Sequence, residues 1–180
     1  VVDVQPAPGV LLNFDKETNI KRGTLIGSAC GVCGRTQIED LIERCQPFPV
    51  FSPIQSDQVA QCVTKLSSQQ PLFDLTGGVH AVAAFSRSGD LLACFEDVGR
   101  HNATDKVIGK LFESDGLGTA TTLVVSGRVS FEIIQKAAMG RISVVIGISA
   151  PTSLAVELAQ ALKITLVGFA RGNRYNLYTG

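Results

Sequence analysis

Apolar and polar positions follow a regular pattern from about residue 75 onward. Six apolar runs have the length expected of strands, at residues 80–85, 91–98, 121–125, 144–148, 164–169 and 175–179. Three segments have helical periodicity, at residues 102–112, 130–139 and 152–162. The first two strands are joined as a hairpin by a short polar turn. Because the later strands alternate with helices, the pattern predicts a three-layer α/β/α fold with a mixed, largely parallel sheet.

The first seventy residues are less regular. Four glycines between residues 23 and 34 weaken both helix and strand, so we interpret residues 24–34 as a flexible loop. A short helix is predicted over residues 36–44 and an amphipathic helix over residues 56–69. The apolar stripe of the second helix consists of Val59, Cys62, Val63 and Leu66. We therefore divide the chain into an N-terminal segment, 1–70, and an α/β/α core, 71–180, which together form one compact unit.

Composition limits the classes of function. Of the 180 residues, 45% are hydrophobic, so a globular core is expected. Sixteen basic residues balance sixteen acidic ones, which removes the electrostatic argument for general nucleic-acid binding. No apolar run approaches the roughly 18 residues of a membrane span. Five cysteines without a disulfide framework favour a reducing cytoplasm, and Cys62 and Cys94 are predicted to be small core residues.

The glycine-rich loop carries a CxxC pair, Cys30 and Cys33, which is compatible with three kinds of chemistry. A structural zinc site needs four ligands, and the two histidines, His80 and His101, are distant in sequence. A thioredoxin-like redox pair would begin a helix after a strand. The third possibility is a thiolate that accepts and donates sulfur, which the glycine-rich loop would carry between partners. The loop favours this last interpretation.

Three polar turns lie where strands of the predicted sheet end, at residues 126–128, 149–153 and 170–174. Ligands of such sheets usually bind at the carboxyl ends of the strands. Two of the turns precede helices, whose free N–H groups favour anions. Arg128, Arg171 and Arg174 could add bidentate contacts, so the sequence predicts a phosphate-bearing ligand. The alternative is that the turns merely cap helices and the arginines are solvated.

A further polar segment, residues 95–106, lies at a strand-to-helix junction. Arg100 and His101 could line a pocket there. In the structural alternative, Asn102 caps the helix while Glu96 or Asp97 pairs with Arg100. The segment has more polar residues than a helix cap requires, which favours a role in both the cap and a pocket. Zinc deaminase chemistry is not supported, because its H-x-E and P-C-x-x-C motifs are missing.

The order of these motifs resembles the formate dehydrogenase accessory sulfurtransferases (FdhD). The resemblance covers residues 28–179 and includes the CxxC pair, the segments 75–81, 96–106, 126–128 and 149–157, and the stretch from 168 to 174. It implies a cytidine-deaminase-like α/β/α core without deaminase activity. It also implies a sulfurtransferase that takes persulfide sulfur from a cysteine desulfurase. The sulfur then passes to the molybdenum bis-guanine-dinucleotide cofactor required by formate dehydrogenase.

The resemblance also implies roles for particular residues. Cys30 would be the persulfide carrier, and Cys33 would assist by hydrogen bonding or by forming a disulfide. The stretch matching the cofactor-binding segment comprises Phe169, Ala170, Arg171, Gly172, Asn173 and Arg174. With Arg128, these residues are our candidate cofactor-binding set, and no metal site is assigned. A homodimer is implied as well. The alternative function is a chaperone that binds the cofactor without transferring sulfur.

Overall fold

A computed structural model describes residues 42, 43 and 45–180. Five helices and six strands are named here in chain order. They are α1 (Ser56–Ser67), α2 (Pro71–Thr76), β1 (His80–Ser86), β2 (Leu91–Asp97), α3 (Arg100–Glu113), β3 (Ala120–Val125), α4 (Phe131–Met139), β4 (Val144–Gly147), α5 (Ser153–Leu162), β5 (Thr165–Arg171) and β6 (Arg174–Thr179). Within the described residues, no helix is both long and apolar enough to span a bilayer.

The six strands form one sheet in the order β2-β1-β3-β4-β5-β6. Only two pairs of neighbouring strands are parallel, β3 with β4 and β4 with β5. Strand β1 pairs antiparallel with both β2 and β3, and β6 pairs antiparallel with β5. The predicted mixed sheet is therefore confirmed, but its parallel part is smaller than expected. The reason is that β1 inserts between β2 and β3, an order that local periodicity does not encode.

Helices cover both faces of the sheet, as predicted. Alternate residues of each strand enter different cores: Val82 and Ala84 of β1 pack under α3, α4 and α5, whereas Ala83 and Phe85 pack under α1. The predicted stripe of α1 is confirmed, since all four of its residues are buried. Cys62 is buried on that stripe, and Cys94 is partly buried in β2.

One helix was not predicted from the sequence. Helix α2 is six residues long, begins with Pro71 and has no buried residue, so it shows no apolar periodicity. The Glu96 carboxylate holds its first turn, accepting hydrogen bonds from the backbone N–H groups of Leu72 (2.9 Å) and Phe73 (2.8 Å). This cap comes from 24 residues away, which explains why the helix is invisible to local sequence patterns.

Candidate functional site

The predicted polar turns lie along one edge of the sheet. The parallel strands β3, β4 and β5 end there, and β1, running the opposite way, begins there at His80, opposite Asp97 at the end of β2. We call this the carboxyl edge and define it as residues 126–130, 148–152 and 169–174, His80 and the first turn of α3. Motifs spread over nearly a hundred residues thus form one surface.

Backbone hydrogen bonds join the three loops of the carboxyl edge. Val129 donates to the carbonyl of Ala150 (3.1 Å), and Thr152 donates to the carbonyl of Val129 (2.9 Å). Phe169 donates to the carbonyl of Ser149 (3.2 Å). The Thr152 hydroxyl accepts from Ala155 N–H and caps α5, as the structural alternative anticipated. Because the loops are bonded to one another, a ligand here would meet a preformed surface.

The hairpin between β5 and β6 carries most of the predicted cofactor-binding residues. Phe169 has a left-handed backbone (φ 54°) and a side chain that is 44% exposed, an unusual combination that often marks functional positions. Its neighbour Ala170 is buried. The hairpin tip is exposed and comprises Arg171, Gly172, Asn173 and Arg174. An exposed aromatic ring beside two arginines can stack on a base and bind phosphate.

On the other side of the carboxyl edge, Gly127 lies between His80 and Arg100. A Cβ atom placed on Gly127 would come within 3.2 Å of both the His80 Nδ1 and the Arg100 Cδ atoms. Ser126 fixes this loop, since its N–H donates to the Ala81 carbonyl (3.0 Å) while its hydroxyl accepts from the Ala81 N–H (2.9 Å). Glycine is thus needed at 127 for the two side chains to approach the loop backbone.

The cations of the described residues divide into two groups. Every described lysine donates to a carboxylate or a carbonyl, and so does Arg141. Five arginines have no such partner within the described part of the chain: Arg87, Arg100, Arg128, Arg171 and Arg174. Four of them lie on the carboxyl edge, and the fifth is in the β1–β2 turn at the opposite end of the sheet. This concentration of unpaired positive charge favours an anionic ligand.

The acids near Arg100 are committed elsewhere. Asp97 pairs with Lys106 (2.6 Å) and accepts from Gly99 N–H (2.9 Å) and the Asn102 side chain (3.1 Å). The hydrogen bond from Lys106, then those from Gly99 and Asn102, lower the pKa of Asp97 to about 2. Both parts of the structural alternative are therefore wrong. Arg100 pairs with neither acid, and α3 begins at Arg100 with Gly99 as its N-cap residue, so Asn102 lies inside the helix and donates back to Asp97.

His101 meets the start of α4. Its Nε2 atom is 3.1 Å from the Ser130 hydroxyl and 3.9 Å from Glu132 Oε2. Partial burial and then the charge of Arg100 lower the pKa of His101. Burial would raise the pKa of Glu132, but hydrogen bonds from Ser130 and its own backbone hold it below the ordinary value. A groove of about 480 Å³ runs from these two residues to Met139. A neutral imidazole beside a hydroxyl can accept or relay a proton.

The structure brings together most of the predicted site but tests only part of it. Arg128 and the stretch 169–174 lie on the same edge of the sheet, and their role as a binding site stays a prediction. Cys30 and Cys33 lie outside the described residues. Within those residues, no group of three or more His, Cys, Asp or Glu side chains could hold a metal ion. The contact of His101 with Ser130 and Glu132 was not predicted, because these residues belong to two different helices whose packing local patterns do not encode.

Comparison with known proteins gives consistent matches. A sequence model of the FdhD/NarQ family matches residues 4–180. The sulfur carrier protein FdhD of Anaeromyxobacter dehalogenans (strain 2CP-C) is 43% identical and covers 99% of this chain. Its counterpart in Mycobacterium tuberculosis is 44% identical over 99% of the chain. The chain spans 64% and 65% of these two relatives.

A solved structure supports the fold. A putative formate dehydrogenase accessory protein from Desulfotalea psychrophila superposes with a TM-score of 0.67 at 26% identity. The match covers 77% of this chain and 60% of the other.

Proposed function

Because the chain belongs to the FdhD/NarQ family, we propose that it is a sulfur carrier serving formate dehydrogenase. In this proposal Cys30 takes sulfur from a cysteine desulfurase as a persulfide. The sulfur is then passed to a molybdenum bis-guanine-dinucleotide cofactor bound as cargo. The working form is a homodimer in the cytoplasm. The relatives named as sulfur carriers support the carrier role, and the carboxyl edge supports the nature of the cargo.

The observation that carries the cargo assignment is the set of unpaired arginines on the carboxyl edge. A bis-guanine-dinucleotide bears diphosphate groups and two purine bases. Arg128, Arg171 and Arg174 offer forked donors that match phosphate oxygens, and the exposed Phe169 ring offers a stacking surface for a base. Because the chain has no net charge, it does not attract an anionic cargo as a whole. It attracts one locally where cationic side chains have no acidic partner within the described residues.

Sulfur transfer to the carrier is a thiol–disulfide type of exchange. The Cys30 thiolate attacks the terminal sulfur of the desulfurase persulfide; a new S–S bond forms on Cys30 and the donor cysteine leaves as a thiolate. For release, Cys33 attacks the Cys30 sulfur. The terminal sulfur then departs as sulfide with the bonding electron pair, and a Cys30–Cys33 disulfide forms. A thiol reductant must reopen that disulfide before the next cycle.

Mass spectrometry tests the carrier role directly. The purified chain is incubated with a cysteine desulfurase and cysteine, then digested without reductant. We expect one added sulfur atom on Cys30. A matched control is Cys94→Ser: burial, and then the charge of Glu96, raise the pKa of the Cys94 thiol to about 11, so it is almost entirely protonated at neutral pH and a poor nucleophile. The control should still load Cys30.

The same measurement decides between the two functions. A cofactor chaperone that transfers no sulfur would keep the anion-binding carboxyl edge but would show no adduct on Cys30. In that case, binding of guanosine diphosphate by the purified chain would remain and loading by the desulfurase would be absent. Loading together with nucleotide binding supports the carrier.

A further inference from the structure

Arg100 is the one arginine of the carboxyl edge with a buried donor that lacks an acceptor. Its Nε atom is inaccessible to solvent and makes no hydrogen bond within the described residues. Buried polar groups in folded proteins are nearly always satisfied by protein, water or ligand. The residue as a whole is partly buried, and its Cδ atom lies 3.2 Å from the position that a Cβ atom on Gly127 would occupy. The unpaired donor therefore needs an explanation.

Internal acceptors do not provide one. Asp97, three residues away, is held by Lys106, Gly99 and Asn102. The carboxylate of Glu96 is held by the backbone of α2 on the other face of the sheet. Glu132 lies near His101 and forms no ion pair with Arg100. Asp97 and Glu96 are thus committed to other partners, and Glu132, whose Oε2 atom is also buried without a hydrogen bond within the described residues, does not pair with the Arg100 Nε–H either.

The neighbours of Arg100 suit an anion. His80 presents its Nδ1 atom to the other side of Gly127. The N-cap residue of α3 is Gly99, which supplies no side-chain cap, and the first turn of α3 contains no acid. The unpaired first-turn N–H groups carry partial positive charge. These groups add to the site that the arginine and the histidine form; they do not define it.

We propose that Arg100, His80 and the Gly127 backbone form a phosphate subsite distinct from the β5–β6 hairpin. The inference rests on the proposed nucleotide cargo. Strand β4 separates β3 from β5, so Gly127 and the hairpin lie about 10 Å apart across the sheet. A nucleoside diphosphate whose base stacks on Phe169 can reach across that span. Arg100 then binds the terminal phosphate of the nucleotide, and its buried Nε–H donates to a phosphate oxygen.

Calorimetric titration of the purified chain tests the subsite with three probes: guanosine diphosphate, guanosine and inorganic pyrophosphate. Arg100→Gln should weaken binding of both phosphate-bearing probes about tenfold or more, the usual effect of losing a charge-assisted hydrogen bond. Guanosine affinity should not change. Arg100→Lys keeps the charge but not the forked donors, so it should recover only part of the loss. Arg87→Gln, at the opposite end of the sheet, is the matched control and should match the wild type.

A second variant guards against a folding artefact. Gly127→Ala keeps Arg100 but adds a methyl group within 3.2 Å of Arg100 Cδ and His80 Nδ1, so it should weaken the same two probes. Thermal unfolding of each variant checks that it is folded. Unchanged binding of guanosine diphosphate by Arg100→Gln overturns the subsite and leaves the proposed function standing.

Two further outcomes separate the subsite from the proposed nucleotide cargo. Arg100-dependent binding of pyrophosphate without any binding of guanosine diphosphate supports the subsite and contradicts the nucleotide cargo. If the wild-type chain binds neither pyrophosphate nor guanosine diphosphate, both the subsite and the nucleotide cargo are contradicted.

Discussion

Replacing Gly168 with alanine is the sharpest test of how the carboxyl edge is packed. Gly168 lies within β5, immediately before Phe169. A Cβ atom there would lie 2.8 Å from the Pro151 Cδ atom and 2.8 Å from the Tyr178 Cε2 atom. Non-bonded carbon atoms prefer separations of about 3.5–4.0 Å. The added methyl group is therefore too close by roughly 0.7 Å or more on two sides.

The two neighbours differ in their freedom to move. The Tyr178 side chain is 37% exposed and can rotate toward solvent. The Pro151 ring is part of the backbone, and that backbone forms a bridge with Val129, so it can yield only by moving the loop before α5. Overpacking of this kind costs about 1–3 kcal/mol. We expect about 2 kcal/mol, which lowers the Tm of a domain this size by about 4–8 °C.

The assay is thermal unfolding followed by far-ultraviolet circular dichroism at fixed protein concentration. Gly109→Ala is the matched control, because a Cβ atom at that position of α3 meets nothing within 4 Å. A helical alanine in open space should stabilise by about 0.5–1 kcal/mol relative to glycine. The two substitutions should thus shift the Tm in opposite directions. A Gly168→Ala protein as stable as the wild type would refute the packing described here.

Three other predictions concern the carrier, the cargo and acid stability. Cys30→Ala should abolish activation of formate dehydrogenase while leaving binding of guanosine diphosphate unchanged, and normal activation would contradict the carrier role. Arg171→Ala should weaken that nucleotide about tenfold in a calorimetric titration; equal affinity would mean that the side chain is merely solvated. The folded-state pKa of Asp97 is about 2 against an ordinary 3.8, so its contribution to stability is complete above about pH 4 and is lost as the pH falls toward 2. Urea midpoints measured from pH 6 to pH 3 should therefore fall less steeply for Asp97→Asn, and parallel curves would argue against the pairing with Lys106.

Most of the secondary structure follows from periodicity because burial dictates the pattern. The stripe of α1 and the apolar runs of β3 and β4 face a core on one or both sides, so apolar residues recur at the expected spacing. Strand order is different, since the position of β1 between β2 and β3 depends on how whole elements pack. Helix α2 escapes prediction for a related reason: its cap comes from Glu96 in another element.

Part of the candidate site can likewise be predicted from the sequence, and part depends on how the elements pack. Polar turns after buried strands predict the location of Arg128 and of the 169–174 stretch, because parallel strands end on one edge. The sequence does not predict which charged side chains form ion pairs with each other. Asp97 is three residues from Arg100 in sequence yet forms its ion pair with the more distant Lys106. The chemistry of Cys30 and Cys33 lies outside the described residues and stays a prediction.

The end of β2 ties the two helical layers to each other. Successive strand residues point to opposite faces, and here the alternation falls on two acids: Glu96 holds the first turn of α2 on one face, while Asp97 holds the first turn of α3 on the other. A slip of one residue in the pairing of β2 with β1 would exchange the two carboxylates and release both helices at once. The register of this single hairpin is therefore a shared anchor, and Arg100 keeps its place only while that register holds.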